Sequence, residues 1–533
     1  MCPQKSVHLR YHDRVSTYHV QNFGCRATQA DGAALERQFA ARGLASASVD
    51  HANLVILNTC TVTNSADQDA RAAIRRVRKQ NPLAKIIVTG CYAQRAPEEI
   101  AALPGVTAVI GNSHKQQLAD LVLANPVLAN PVLANLVLDK NFQPGKTFLP
   151  IGVLTGSHEL RTESSIFVSD IFAHTELLAA PVFESAGNFN SHENERTRPN
   201  LKIQDGCDNR CSFCVIPSVR GPSRSLPASQ IIREMNALVR ACYREVVISG
   251  INLGRWGRDL EGRDLESRLP ASGSREPRFE DLIRAILAET DLEKLRISSV
   301  EPMDWSDDLI SLVASSPRIA KHAHVPLQSG SDAVLRRMHR KYRPWHYRAK
   351  IEKIRAAMPA AAIGADVMTG FPGETDAEFE ATRRLIEELP FTYLHVFTYS
   401  ARPGTPAAAM SNQVPVHVAR ERNQILRDLA TSKKQTFMQS FIGKPLEAIT
   451  LSATKKGPDR DFTEALTDNY QKLFLKGRHE ANRWIRADIE AVEDGALMGS
   501  VAVSTLSPSL GLIPLGLVPL KLADTFASAT TTV

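Results

Sequence analysis

Residues 205–217 read DGCDNRCSFCVIP, which sets Cys207, Cys211 and Cys214 in a C-x3-C-x2-C pattern. Three sulfurs on so short a loop are close enough to grip one metal centre. The spacing is not that of a bacterial ferredoxin, and no fourth cysteine nearby completes a set. Three ligands on a four-iron cluster leave one iron open. An open position marks a reactive centre, by the logic that separates catalytic from structural zinc. Phe213 places an aromatic face just before the last ligand. A zinc knuckle is the alternative, and the absence of a histidine or fourth cysteine at suitable spacing speaks against it. Cys242, in the helix-like run ALVRACYREVV, reads as core or incidental.

A second set is spread along the chain. Cys25, Cys60 and Cys91 close the apolar runs TYHVQNFGC, NLVILNTC and AKIIVTGC, 35 and 31 residues apart. Each interval is about one strand–helix–strand step. In a parallel sheet, ligands gather outside the carboxyl ends of the strands. Three successive strands would therefore present three thiols along one sheet edge. A lone cysteine is most often a small buried hydrophobe, but three at the same structural position point to metal ligation. Soft thiolates select iron–sulfur clusters, zinc or Cu(I). The contexts GCRATQ, NTCTVTNSAD and GCYAQ add Asn, Thr and Gln as donors behind the sulfurs.

The elements that must carry these residues follow from periodicity. Over 15–118, apolar runs alternate with the helix candidates 30–43 and 65–80, which predicts a parallel α/β sheet domain. Residues 119–197 hold a tandem VLANP repeat and the polar stretch SAGNFNSHENERTRP, and read as a linker or insertion with little fixed structure. From 198 to 435 the alternation resumes. Strand candidates at 244–250, 294–300, 323–329, 362–370 and 393–400 predict a full or partial β/α barrel. Short strand-like pieces over 443–503 predict a small, OB-sized β-barrel, and 504–533 a Pro-punctuated tail.

Composition sets the outer bounds. A chain of 533 residues suggests three or four domains, and 43% hydrophobic with 23% charged residues excludes a mainly disordered or fibrous chain. A net charge of +7 permits a nucleic-acid partner without demanding one. Eight cysteines are too few for a disulfide scaffold. The N-terminus MCPQKSVHLRYHDR has no apolar signal region, so a reducing cytoplasm is expected. Residues 121–138 carry no charge, but Pro126 and Pro131 interrupt them, so no membrane span is expected.

The motifs also carry a resemblance. C-x3-C-x2-C with an aromatic before the last Cys, at the head of a β/α repeat, resembles the radical S-adenosylmethionine enzymes. The preceding three-cysteine domain narrows this to the methylthiotransferases. NTCTVTNSAD (58–67), KIQDGCDNRCSFCVIPSVRGPSRS (202–225), HVPLQSGSD (324–332), GFPGET (370–375) and YSARPGT (399–405) are most like members acting on N6-threonylcarbamoyladenosine at position 37 of tRNA. The resemblance covers about 15–118 and 198–503, and the long 119–197 segment departs from it. It implies a flavodoxin-like first domain, a radical-SAM partial barrel and a C-terminal TRAM-like barrel. It further implies two 4Fe-4S clusters, one on Cys25, Cys60 and Cys91 and one on Cys207, Cys211 and Cys214. S-adenosylmethionine would serve as methyl donor and radical source, because adenine C2–H resists acid–base and nucleophilic chemistry. Implied partners are tRNA, a flavodoxin-like or ferredoxin-like electron donor and a sulfur source.

Other positions follow from strand ends and charge. Gly250 and Asn252 in VVISGINLG, with Ser299, Gln328, Asp366 and Phe213, are candidates to line the cofactor site. Glu374 reads as a helix-start carboxylate. Arg196, Arg198, Arg210, Arg220 and Arg224 form an Arg-rich rim suited to phosphates. On the last barrel, Lys455, Lys456, Lys472, Lys476, Arg478, Arg483 and Arg486 interleave with Tyr470, Phe474 and Trp484, a pattern suited to RNA backbone and base stacking. The competing readings are a sister enzyme acting on isopentenyl-adenosine or a ribosomal-protein aspartate, a non-catalytic Fe–S RNA-binding protein, and a zinc protein. Cleavage of S-adenosylmethionine to 5′-deoxyadenosine separates an enzyme from the second of these, and zinc in place of iron and sulfide marks the third.

Overall fold

β3 (Leu54–Thr59) is buried along its whole length, as a strand covered on both faces must be. Its alternate residues feed two separate cores. Leu54 and Ile56 join Leu35 and Phe39 of the helix Arg26–Ala40, while Val55 and Leu57 join Ala70, Ile74 and Val77 of the helix Asn64–Gln80. This is a three-layer arrangement built around β1 (Thr17–Asn22), β2 (Ala45–Ser46), β3, β4 (Lys85–Gly90), β5 (Val106–Gly111) and β6 (Ser165–Phe167). The strands are parallel and ordered β2-β1-β3-β4-β5-β6.

The structure is a computed structural model that describes residues 17–124, 164–173, 197–260, 277–454 and 462–502. The VLANP repeat beyond Ala124, the tail from 504, Arg196, Lys455 and Lys456 lie outside them. All strands and helices named here belong to one unit ending at Val501. β6 corrects the expectation of a linker over 119–197, since Ser165–Phe167 pairs with β5 as the sixth strand. A three-residue strand shows no sequence period, so nothing in SIF announced it.

The central domain is a six-stranded parallel half-barrel. β7 (Asn200–Lys202), β10 (Glu245–Ser249) and β11 (Lys294–Ile297) form one sheet; β12 (His322–His324), β13 (Ala362–Thr369) and β14 (Tyr393–Thr398) form the other. The single bridge Ser299↔His324 joins the two, and Leu295 also bridges Ile319 just ahead of β12. β14 pairs with no strand on its outer side among the described residues, so the wall stays open between β14 and β7. A short antiparallel ribbon of β8 (Gln204–Asp205) and β9 (Arg224–Ser225) brackets the C-x3-C-x2-C loop.

The helix Val416–Gln439 then leads to a closed five-stranded barrel of β15 (Pro445–Thr454), β16 (Phe462–Thr467), β17 (Lys472–Lys476), β18 (Trp484–Glu493) and β19 (Ala496–Val501). β16 alternates half-buried and buried residues, the period of a barrel wall. Met438 and Phe441, at the end of the long helix, complete its core with Leu473, Leu475 and Ile489. Among the described residues, no helix is long and apolar enough to cross a membrane.

Candidate functional site

β1, β3 and β4 are neighbours and end in register, with Asn22 beside Asn58 and Thr59 beside Gly90. Cys60 and Cys91 follow the last two strands directly, and Cys25 caps the helix after β1. The three thiols therefore share one sheet edge. Gly24 passes so close over Cys60 that a Cβ there would lie 2.9 Å from its sulfur, and its φ of +101° also favours glycine. Cys60 and Cys91 are buried and Cys25 is exposed. Burial, and then the charges of Cys91 and Cys25, push the Cys60 thiol up to about 12. A reactive redox cysteine has a lowered pKa. A Cys60 thiol raised by burial and by its two neighbours instead suits a centre whose positive charge replaces its proton.

The second triplet is clamped by its backbone. Ser212 N donates to Met338 O at 3.1 Å, Ala407 N donates to Ser212 O at 2.8 Å, and Cys207 N donates to Gly221 O at 3.1 Å. Each of two sulfurs faces a side-chain donor: Asn252 Nδ2 lies 3.6 Å from Cys207 Sγ, and Arg340 Nη1 lies 3.3 Å from Cys211 Sγ. Burial raises Cys207 and takes Cys214 up to about 12. Phe213 packs on the barrel core. Among the described residues, no three Cys, His, Asp or Glu groups converge on a single metal ion. Three thiolates with no histidine or carboxylate among them are the soft donor set that an iron–sulfur cluster takes, with each thiolate on a different iron.

The strand-end candidates gather above the same loop. Gly250 lies against Gln204, whose Oε1 accepts from Asn252 N at 2.7 Å. Gln328, with φ of +63°, bridges β13 at Val367. Ser299 bridges His324, whose Nε2 lies 3.3 Å from Asp366 Oδ1. Burial opposes the Asp366 charge, but His324, His395 and Arg340 outweigh it and hold the carboxyl below its ordinary value. Ser249 Oγ, Asn252 Oδ1, His324 Nδ1 and Gln328 Oε1 are buried with no partner among the described residues. Buried polar atoms are nearly always satisfied, so these four are open to a ligand or to water at the strand ends.

The first domain sits across the open wall of the half-barrel. On the β7 side, Asn200 Nδ2 donates to Arg26 O at 2.9 Å, and Asp31 binds Lys202, Arg220 at 3.0 Å and Lys115 at 3.0 Å. On the β14 side, Arg402 Nη1 meets Asp67 at 2.7 Å and Thr61 O at 3.2 Å, and Asn64 N donates to Ser400 Oγ at 3.0 Å. Between them, Cys91 packs on Val215 and Val219 of the helix after Cys214. Asn112 Nδ2 donates to Val219 O at 2.8 Å and lies 3.6 Å from Cys91 Sγ. Both thiol triplets thus face one junction. Arg402→Ala leaves the buried Asp67 with Arg95 as its remaining ion-pair partner among the described residues. The expected loss is about 3 kcal/mol, read as a lower urea midpoint, and an unchanged midpoint would refute the strapping role.

Residues 17–111 match the Uncharacterized protein family UPF0004, and residues 201–386 match the Radical SAM superfamily. The threonylcarbamoyladenosine tRNA methylthiotransferase MtaB of Bacillus subtilis (strain 168) is 33% identical, over 87% of this chain and 92% of the relative. That of Rickettsia prowazekii (strain Madrid E) is 33% identical, over 89% and 95%. The chain belongs to the radical S-adenosylmethionine methylthiotransferases. The tRNA-2-methylthio-N(6)-dimethylallyladenosine synthase of Novosphingobium aromaticivorans is also 33% identical, over 81% and 86%. As a member of the family, this transferase uses S-adenosylmethionine and a 4Fe-4S cluster.

Within this methylthiotransferase several expected RNA contacts prove to be internal. Arg220 is 2% exposed and bound to Asp205 and Asp31, so it cannot meet a phosphate. Arg224 is half-buried and donates to Arg220 O, and Arg198 pairs with Glu245 at 3.6 Å. Tyr470 does not stack on RNA: at the β16–β17 turn it packs 4.6 Å from His322 inside the half-barrel and accepts from Arg26 Nη2 at 3.2 Å. Glu374 is not a helix-start carboxylate, because Thr375 caps that helix, while Glu374 pairs with Arg422 at 2.8 Å and accepts from Gly370 N at 2.8 Å. Cys242 is exposed at a helix end, with φ of +65°. Lys472 and Lys476 pair with Glu464 and Glu490 on the barrel surface, where Arg478 is exposed.

Proposed function

We propose that this enzyme adds a methylthio group to C2 of N6-threonylcarbamoyladenosine at position 37 of tRNA. The observation that carries the reading is the placement of the Cys25–Cys60–Cys91 edge across the open wall of the half-barrel, facing the Cys207–Cys211–Cys214 loop. The two triplets would hold two 4Fe-4S clusters. When bound, these supply the electron that opens S-adenosylmethionine to its radical and the sulfur that is transferred.

The chain's own residues do the rest. Asn252 and Arg340 donate toward Cys207 and Cys211 and stabilise their negative charge. Gly250, Ser299, Gln328 and Asp366 shape the cofactor's pocket at the strand ends. The first domain covers the opening and excludes water from a radical reaction. Lys472, Lys476 and Arg478 lie on the last barrel where tRNA phosphates would approach, and the pairing of Lys472 with Glu464 and of Lys476 with Glu490 weakens what these two contribute. A flavodoxin-like or ferredoxin-like electron donor, a sulfur source and a cytoplasmic setting complete the reading.

Nucleoside mass spectrometry of tRNA from cells lacking and regaining the gene tests it. The methylthio form of threonylcarbamoyladenosine should vanish and return. Loss of the dimethylallyl counterpart instead would assign the chain to the second activity named among its relatives. Retention of both, with no 5′-deoxyadenosine from reduced protein, would leave a binding protein.

A further inference from the structure

What distinguishes threonylcarbamoyladenosine from the dimethylallyl base is a carboxylate. A site that selects it needs a cation near the junction of the two thiol triplets, and that cation must not already be neutralised. Most cations there are committed. Arg220 and Lys202 bind Asp31, Arg402 binds Asp67, and Arg296 binds Glu245.

Arg26 differs. It adjoins Cys25, the one exposed thiol of its triplet, and its guanidinium turns toward the half-barrel. There it donates to the Tyr470 hydroxyl at 3.2 Å, and among the described residues no carboxylate lies within ion-pair distance. Tyr470 sits in turn against His322 and Tyr393, so the guanidinium ends at an aromatic floor. Arg26 and Tyr470 are themselves only partly buried, and His395, on the open-edge strand β14, is exposed beside Tyr393. Burial, with Arg296, His324 and Arg26 itself, holds His322 well below its ordinary value, so it is neutral near pH 7 and offers no rival charge.

We propose that Arg26 binds the carboxylate of the threonylcarbamoyl group and so selects this base over an uncharged one. The assignment rests on the function proposed above. A guanidinium presents two parallel N–H donors to a carboxylate, and one of Arg26's nitrogens is engaged by a phenol alone.

The test uses reconstituted full-length enzyme, Arg26→Gln and Arg26→Lys, with three anticodon stem-loop RNAs. One bears threonylcarbamoyladenosine, one its methyl ester, and one unmodified adenosine. Arg26→Gln should raise both Kd and KM for the first RNA at least tenfold. It should bind the ester RNA as the wild type does, which also reports that the variant is folded. Arg26→Lys should restore most of the affinity. Unchanged affinity of Arg26→Gln for the first RNA would overturn the assignment. So would an equal loss on all three RNAs, which would make Arg26 a phosphate contact. If the wild type itself fails to methylthiolate the first RNA, the proposed function falls, and Arg26 with it; if it succeeds and Arg26→Gln matches it, Arg26 alone falls.

Discussion

Alanine at Cys207, Cys211 or Cys214 is expected to abolish 5′-deoxyadenosine formation, whereas alanine at Cys25, Cys60 or Cys91 is expected to spare it and abolish sulfur insertion. The two triplets belong to separate domains with separate cores, so each can be lost without dismantling the other. Each triplet acts as a unit, and one missing ligand should cost about as much as three. Every variant should retain about half of the wild-type iron and sulfide after anaerobic reconstitution. Full iron in Cys60→Ala would refute a second cluster, and persistent sulfur insertion would refute its role. Far-UV circular dichroism separates ligand loss from unfolding, since Cys60 and Cys91 are also core residues.

Asp31→Asn should have the largest effect on stability. Asp31 is buried, and its carboxylate is the shared partner of Lys115, Lys202 and Arg220, with Asp205 the other anion in the group. Removing it strands buried cations, and the expected cost is about 3–5 kcal/mol. Burial opposes the Asp31 charge, but Lys115, Lys202 and Arg220 outweigh it and hold the carboxyl well below the usual range. A carboxyl lowered on folding lends stability above its unfolded value of about 3.9, and that stability drains away as the pH falls further. Urea midpoints should therefore drop for the wild type below about pH 4 and stay flat near neutrality. The variant should begin lower and fall less steeply in acid. Parallel acid limbs would show that Asp31 does not carry the linkage.

The local half of this architecture was readable from the chain. The apolar runs before Cys25, Cys60 and Cys91 are strands β1, β3 and β4, and the thiols do follow their ends. Five of the six half-barrel strands matched apolar runs. β7 was missed because three residues, NLK, show no period, and β19 because ALMGSV follows a turn in an already crowded segment. The junction was illegible for a different reason. Arg220 finds Asp31 across 189 positions and Arg402 finds Asp67 across 335. Arginines in IPSVRGPSRS and YSARPGT look like surface charge until the fold brings an acid to them. The same blindness put Tyr470 on an RNA face, when its turn reaches into another domain.

That turn has a consequence for biosynthesis. Arg26 and Tyr470, which meet beside Cys25, are 444 positions apart. At about 5–20 residues per second, a ribosome needs on the order of half a minute or more to connect them. The first three-cysteine domain emerges early, and its thiol edge is covered in steps: Val215 and Val219 reach Cys91 first, and the Tyr470 turn closes beside Cys25 last. A cluster held on that edge, as proposed above, would be shielded beside Cys25 only once the last barrel has docked, so its protection is tied to completion of the chain.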